Sequence, residues 1–385
     1  MKYNAKKFIN FQNPHIIGTE KKEVLKTISN NQLIGPGNFI SKAEKLLEKQ
    51  LKCKKVVLTN SGTDALEMAC ILSNFGPGDE VIIPSFNFPS SATSVLRTGA
   101  TPVFVDVSSK KMSICIDSIK KSITSATKGI IVVHYAGIAA DIIEIVKLAK
   151  KFNLIVIEDA APAIYSKYSN KYLGTFGDFG VISFHATKNI FCGEGGALII
   201  NNSKDINRAQ VIREKGTNRF LFSQGKISKY TWIDHGSSFI PSSLQASFLY
   251  AQLKQGIKIT KKRLNIFKIY NDFFRKHISK DKIEIPIIDE KNFGNGHFYW
   301  ILLPKSKRMI FMEKSKANGL EVTTHYEPLH SSVAGKRYGR HLVDLKNTED
   351  LSKRILRLPI HTQISKSDQK RILDILDRTI NECLI

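Results

Sequence analysis

At roughly 150 residues per domain, a chain of 385 residues that is 42% apolar has room for two or three domains and more than one core, which excludes wholesale disorder. Lys and Arg number 58 against 34 Asp and Glu, a net charge of +24, but the excess is lysine scattered over the whole chain. No basic stripe interleaved with aromatics stands out, so a nucleic-acid partner is not expected. The five cysteines (Cys53, Cys70, Cys115, Cys192 and Cys383) are odd in number and form no C-x-x-C, which argues against a disulfide framework and a zinc knuckle and for a reducing compartment. The opening MKYNAKKFINFQNPHIIG lacks the apolar core of a signal peptide, and no apolar run reaches the about 18 residues of a spanning helix. A cytoplasmic protein with no membrane partner is expected.

From Lys54 to Asn202, β-branched runs alternate with helical patterns. Strands are predicted at 56–59, 81–84, 102–107, 129–135, 154–159, 181–185 and 197–201. Leu66, Ala69 and Cys70 in DALEMACILSNF have helical spacing, as do Ile142, Ile145, Val146 and Ala149 in DIIEIVKLAKKFN. This rhythm points to an α/β layer with a mostly parallel sheet, apolar on both faces, whose ligands bind beyond the carboxyl ends of the strands. After residue 240 the rhythm changes. A long helix over 242–274 is followed by a strand at 298–304, a helix near 309–318, the stretch 321–330, and closing helices near 347–356 and 367–380. The expected organisation is a large domain over 1–240, its N-terminal segment able to pack on the second domain, and a smaller α+β domain over 241–385.

The strand ends carry complementary polar groups. VVLT runs into Asn60, Ser61, Gly62 and Thr63 at a helix start, where free N–H groups attract a phosphate, although the same residues also serve as ordinary helix caps. LIVIE ends in Asp159, which alone could equally cap a helix or form a salt bridge. VISFH leads to Lys188 and the turn Gly193–Glu194–Gly195–Gly196, and PSFNF offers Phe86 or Phe88 from another strand end. Together these meet the needs of pyridoxal 5′-phosphate: a lysine for its aldehyde, a carboxylate beside its pyridine nitrogen, an aromatic ring to stack on it, and a phosphate cup. Signatures of nucleotide hydrolysis, zinc proteolysis and dinucleotide binding are absent. His134, His185, His297, His325 and His330 lack metal-ligand spacing, so no metal is expected.

The chain resembles the DegT/DnrJ/StrS family of nucleotide-sugar aminotransferases nearly end to end. The likeness includes IGPGNFISKAEKLLEKQL, TNSGTDALEMA, GPGDEVIIPSFNF, VHYAG, IVIEDAA, GTFGDFGVISFHATKN, GEGGALI, IREKGTNR, SKYTWIDHGSS and HYEPLH. The last three look most similar to the branch making dTDP-4-amino-4,6-dideoxygalactose. The resemblance implies the aspartate aminotransferase-like fold (fold type I), a large domain with a small C-terminal one. It also implies that Lys188 forms the imine with the cofactor, that Asp159 pairs with the pyridinium nitrogen, that Phe88 stacks on the ring, and that Gly62, Thr63 and Ser183 hold the phosphate. Family members form homodimers with shared active sites, which implies that Ser238 reaches the neighbouring subunit's phosphate. Three positions depart from the family: Pro162 stands where Gln or His follows EDAA, Asn87 where Thr precedes the stacking aromatic, and Ser238 where most members have Asn. The serine is shared with the dTDP-aminosugar branch.

The implied reaction moves the amino group of L-glutamate to C4 of a nucleotide-linked 4-keto-6-deoxy sugar. The best match is dTDP-4-dehydro-6-deoxy-D-glucose, in surface polysaccharide biosynthesis of the lipopolysaccharide or enterobacterial common antigen kind. Other nucleotide keto-sugars, UDP-linked or 3-keto, are the alternative. Deoxysugar dehydratase relatives carry His in place of the lysine, so Lys188 speaks against that activity. Only the net charge favours a non-enzymatic basic protein. Lys215 and Arg219 are candidates for the sugar diphosphate, because Arg and Lys suit phosphate recognition, and His325 and Tyr326 for the sugar pocket.

Overall fold

The computed structural model describes residues 8–31, 37–278, 283–288 and 290–384. The first seven residues of the N-terminal stretch, and 34–36 of the IGPG motif, lie outside the described residues. Among those described, the strands are β1 (Lys55–Thr59), β2 (Glu80–Pro84), β3 (Thr101–Val105), β4 (Thr127–Val133), β5 (Ile155–Asp159), β6 (Lys167–Tyr168), β7 (Lys171–Tyr172), β8 (Phe179–Ser183), β9 (Gly196–Ile200), β10 (Asn292–Phe293), β11 (Tyr299–Leu302), β12 (Arg340–His341) and β13 (Ile355–Leu358). The α-helices are α1 (Thr19–Ser29), α2 (Asn38–Leu51), α3 (Gly62–Leu72), α4 (Ser90–Leu96), α5 (Ile116–Ser122), α6 (Ile142–Phe152), α7 (Ile206–Arg213), α8 (Arg219–Ser223), α9 (Ser243–Phe274), α10 (Lys305–Ala317), α11 (Val333–Tyr338), α12 (Lys346–Arg354) and α13 (Lys366–Leu384).

The central sheet runs in the order β1-β9-β8-β5-β4-β2-β3-β12, and only β9 is antiparallel to its neighbours. Its strands read as unbroken apolar runs because helices cover both faces. On one face Val57, Ile83, Ile131, Ile157, Val181 and Leu198 pack with Ala65, Leu66, Met68 and Ala69 of α3. On the other, Val56, Leu58, Ile182 and Ile199 meet Phe39, Ala43 and Leu47 of α2, while Ile82, Val103, Ile130 and Val132 meet Ile142, Ile145 and Ala149 of α6. This is the α/β architecture of fold type I, with a mostly parallel sheet.

The long helix α9 starts on a capping box in which Ser242 Oγ accepts from the Gln245 backbone and Gln245 accepts from the Ser242 backbone. Its first half places Ala246, Leu249 and Leu253 in the core shared with α2. Its second half sends Ile266, Phe267, Tyr270 and Phe274 into a separate core with β11, β13 and α13, where Ile9 pairs with Leu320. Several elements differ from the sequence reading, and the strands expected at 102–107 and 298–304 end at Val105 and Leu302. The strand expected at 129–135 ends at Val133, where the chain turns through Tyr135–Gly137 with Ala136 at φ 57. The strand expected at 181–185 ends at Ser183. The helix expected near 347–356 stops at Arg354, and Ile355–Leu358 pairs with β11 instead, because an apolar ILRL run fits a buried ladder better than a helix end.

Candidate active site

The carboxyl ends of β1, β2, β4, β5 and β8 lie at one edge of the sheet, and the polar residues noted in the sequence follow them. After β1 the chain enters α3 directly, with Ser61 Oγ accepting from the Asp64 N–H at 3.0 Å. Gly62 sits against Ser183 so closely that a Cβ there would lie 2.9 Å from the Ser183 Cβ. A helix N-terminus, the hydroxyls of Ser61, Thr63 and Ser183, and a backbone free of a side chain thus converge on one spot. The Thr63 hydroxyl meets that of Ser90 at 2.7 Å.

Asp159 ends β5 and is buried. Its Oδ2 accepts from Ser91 Oγ at 2.9 Å, and Ser91 Oγ in turn accepts from Asn87 Nδ2 at 2.8 Å. Its Oδ1 accepts from the Ala161 N–H at 3.2 Å. Only neutral groups satisfy this carboxylate, which has no ion pair among the described residues, so its charge is left for a cationic group brought in by a ligand. Glu158, one residue earlier, points into the fold and accepts from His134 and from the N–H groups of Gly174, Phe176 and Gly177. That anchors the strand end bearing Asp159.

Lys188 follows β8 on a turn closed by its own N–H donating to the His185 carbonyl at 2.8 Å. Its amine enters the cleft without a hydrogen bond or ion pair among the described residues. Burial pushes its pKa below the ordinary 10.5, opposed by Asp159 and reinforced by Arg357. His297 and His325 also line the cleft and are held well below 6.5, chiefly by burial, so both imidazoles are neutral at pH 7. Tyr135, whose hydroxyl burial keeps protonated, shares a hydrogen bond with His325 Nδ1 at 2.5 Å.

These groups share a cleft of about 580 Å³. Of the candidates read from the sequence, Gly62, Thr63, Phe88, Asp159, Ser183, Lys188, His325 and Tyr326 line it. Phe86 is 1% exposed and packs on Tyr135 in the core, whereas Phe88 is 57% exposed and faces the cleft beside Tyr326, which separates the two aromatics of PSFNF. Ser238, Lys215 and Arg219 do not line the cleft. Ser238 bridges to Glu214 and its carbonyl accepts from Asn60. Lys215 is held at φ 66 with its N–H on the Ser237 carbonyl, and Arg219 lies 4.0 Å from Glu214. Pro162 contributes to the wall, and its carbonyl accepts from Asn295 Nδ2. The sequence reading missed Ser91, Tyr135, Phe298 and Arg357. Ser91 follows the PSFNF motif closely enough to have been a candidate, whereas nothing local marks Arg357.

Residues 14–377 match the model of the DegT/DnrJ/EryC1/StrS aminotransferase family. The chain belongs to this aminotransferase family. It is 30% identical to the GDP-perosamine synthase of Escherichia coli O157:H7, covering 93% of this chain and 95% of that protein. It is 27% identical to the dTDP-4-dehydro-2,3,6-trideoxy-D-glucose 4-aminotransferase of Saccharopolyspora spinosa, over 97% of each. A structure of the putative sugar aminotransferase Spr1654 of Streptococcus pneumoniae, described as its PLP-form, superposes with a TM-score of 0.88 at 25% identity, covering 98% of this chain and all of that one. No described helix of this aminotransferase is long and apolar enough to cross a membrane, and no described group of His, Cys, Asp and Glu could hold a metal ion.

Proposed function

We propose that the protein is a nucleotide-sugar 4-aminotransferase that uses pyridoxal 5′-phosphate, takes its amino group from L-glutamate and delivers it to C4 of a 4-keto-6-deoxy sugar. The cofactor reading rests on a lysine amine and a buried carboxylate that feel each other's charge in one cleft without forming an ion pair among the described residues, beside a helix-start cradle. When bound, pyridoxal phosphate supplies an electron sink for the carbon carrying the transferred nitrogen. The backbone N–H groups at Gly62 and Thr63 and the hydroxyls of Thr63 and Ser183 would hold the phosphate, with Ser61, whose hydroxyl donates to Asp64, capping the helix start. Phe88 covers a ring face. Asp159, fixed by Ser91, would meet the ring nitrogen and favour its protonated form.

Lys188 holds the cofactor and, once free, moves a proton at Nζ. Its lowered pKa provides neutral amine nearer pH 7 than an exposed lysine would. The neutral His325, bonded to Tyr135, and the Tyr326 ring form the wall against which the sugar lies. The acceptor is proposed as dTDP-4-dehydro-6-deoxy-D-glucose and the product as dTDP-4-amino-4,6-dideoxy-D-galactose, on the likeness of HYEPLH, IREKGTNR and SKYTWIDHGSS; the name of the Saccharopolyspora relative supports a dTDP sugar. The Escherichia relative favours a GDP sugar as the second reading. The proposed setting is cytoplasmic synthesis of a surface polysaccharide precursor.

The enzyme is proposed to act as a homodimer of two-domain subunits, 1–240 and 241–385. In that arrangement the segment carrying Lys215, Arg219 and Ser238, which lies off its own cleft, completes the cleft of the other copy. The test is to incubate the purified protein with L-glutamate and the dTDP-, GDP- and UDP-linked 4-keto-6-deoxy sugars and to identify products by mass and NMR. A single aminated dTDP sugar with matching 2-oxoglutarate is expected. Amination of the GDP sugar alone moves the assignment to the second reading, and no amination of any sugar refutes it.

A further inference from the structure

Two Lys or Arg side chains line the cleft among the described residues, Lys188 and Arg357. The chemistry above employs only the first. Arg357 lies on β13, outside the central sheet, and is held by the fold on several sides. Its Nε and Nη2 donate to the Thr324 carbonyl at 3.1 and 2.8 Å. Its guanidinium carbon lies 4.8 Å from the Phe11 ring centre and 5.3 Å from that of Phe298. These contacts fix the plane of the fork and leave Nη1 without an acceptor among the described residues.

No carboxylate pairs with Arg357 among the described residues, although the same strand region shows how readily this fold pairs arginines: Arg354 reaches both Glu284 and Asp350. A rigid, partly buried cation facing a ligand cleft without a counter-ion is left to meet an anion supplied by the ligand, since one neutral carbonyl and two ring faces compensate its desolvation only in part. Burial indeed pulls the Arg357 pKa below the ordinary 12.5.

Two anions enter this cleft on the proposed reaction: the carboxylates of the amino donor and the diphosphate of the sugar nucleotide. Arg357 interacts electrostatically with Lys188, His325, Tyr135 and Tyr326. These surround the point where nitrogen is exchanged. The donor's α-carboxylate sits on the carbon that carries the reacting nitrogen, so its anchor must lie near Lys188. The diphosphate is separated from the reacting C4 by the sugar ring and falls farther out. We infer that Arg357 is the anchor for the α-carboxylate of the amino donor, its fixed fork recognising the carboxylate shared by the amino acid and its 2-oxo acid product. This inference rests on the aminotransferase reading and adds a residue to it.

The test uses holoenzyme and a dicarboxylate that cannot react because it has no amine, glutarate, with dTDP as the second probe. Each is titrated calorimetrically into wild type, Arg357→Gln and Arg357→Lys, with cofactor loading followed by visible absorption. Loss of a charge-assisted hydrogen-bonded contact predicts glutarate binding weaker by roughly 10- to 100-fold in Arg357→Gln, with dTDP binding unchanged. Arg357→Lys keeps the charge without the fork and is expected to fall between, which also serves if the glutamine variant does not fold. Equal glutarate affinity in wild type and a folded variant overturns the inference. So does weakened dTDP binding with glutarate unaffected, or a coloured wild-type holoenzyme that does not bind glutarate. A wild type that takes up no cofactor refutes the proposed function instead.

Discussion

Replacing Gly62 by alanine tests the cradle at the start of α3. The added Cβ would stand 2.9 Å from the Ser183 Cβ and 3.2 Å from its Oγ, where ordinary contacts begin at 3.4 Å, so the two elements must part by about half an ångström. Neither side yields cheaply. Ser183 ends a fully buried central strand, and its Cβ is fixed to that backbone rather than to a flexible side chain. Overpacking of this kind costs about 1–3 kcal/mol, against which alanine recovers up to about 1 kcal/mol of helix propensity. In a Ser183→Gly background the nearest remaining atom is the Ser183 Cα at 3.4 Å, an ordinary contact, while the propensity gain is unchanged. Urea denaturation of the four cofactor-free proteins is therefore expected to show coupling, with the double variant about 1–2 kcal/mol more stable than the sum of the single effects. Pyridoxal phosphate titration of Gly62→Ala should also show weaker binding. Strict additivity, or undiminished cofactor affinity in Gly62→Ala, would refute the close approach on which the phosphate cup depends.

Asp159→Asn should lower turnover on the order of 10²-fold or more by weakening ring protonation, with steady-state kinetics as the measure; full activity sinks the pairing. Lys188→Ala should abolish turnover and prevent borohydride from fixing the cofactor to the protein; a variant that still turns over has another nucleophile. Because the folded-state pKa of Lys188 is lowered, the unfolded chain binds a proton that the folded protein does not between that value and 10.5. Stability therefore rises with pH across that window, and the cost of the buried lysine is full below it. In cofactor-free protein, the stability advantage of Lys188→Met over wild type should shrink as pH approaches 10.5, and a pH-independent gap contradicts the shift. Sedimentation should show a dimer, and a fully active monomer is incompatible with a shared site.

Much of the candidate site was visible in chain order because parallel α/β sheets place successive strand ends side by side. Asp159 and Lys188 each follow an apolar strand, and β5 pairs directly with β8, so two local signals became neighbours by topology alone. The departure at Asn87 has an explanation that no local reading supplies: its amide supports Ser91, which holds Asp159 across 68 residues of sequence. The candidates Lys215 and Arg219 show the opposite limit. They lie off the cleft of their own chain, and on a chain with 58 basic residues proximity to a motif does not say which cleft a cation serves.

The order of apolar runs and turn residues determined the α/β class, the covered sheet and the residues at its strand ends, since each depends on short-range periodicity and on chain direction. The packing of Trp300, Leu302 and Ile355 of β11 and β13 with Phe86 and Tyr135 keeps Phe86 in the core, leaves Phe88 at the cleft and brings in Arg357 without a counter-ion, while the placement of α4 beside β5 lets Ser91 hold the carboxylate. Whether a charge is paired depends on which distant segments reach it, and that is a property of the folded chain alone.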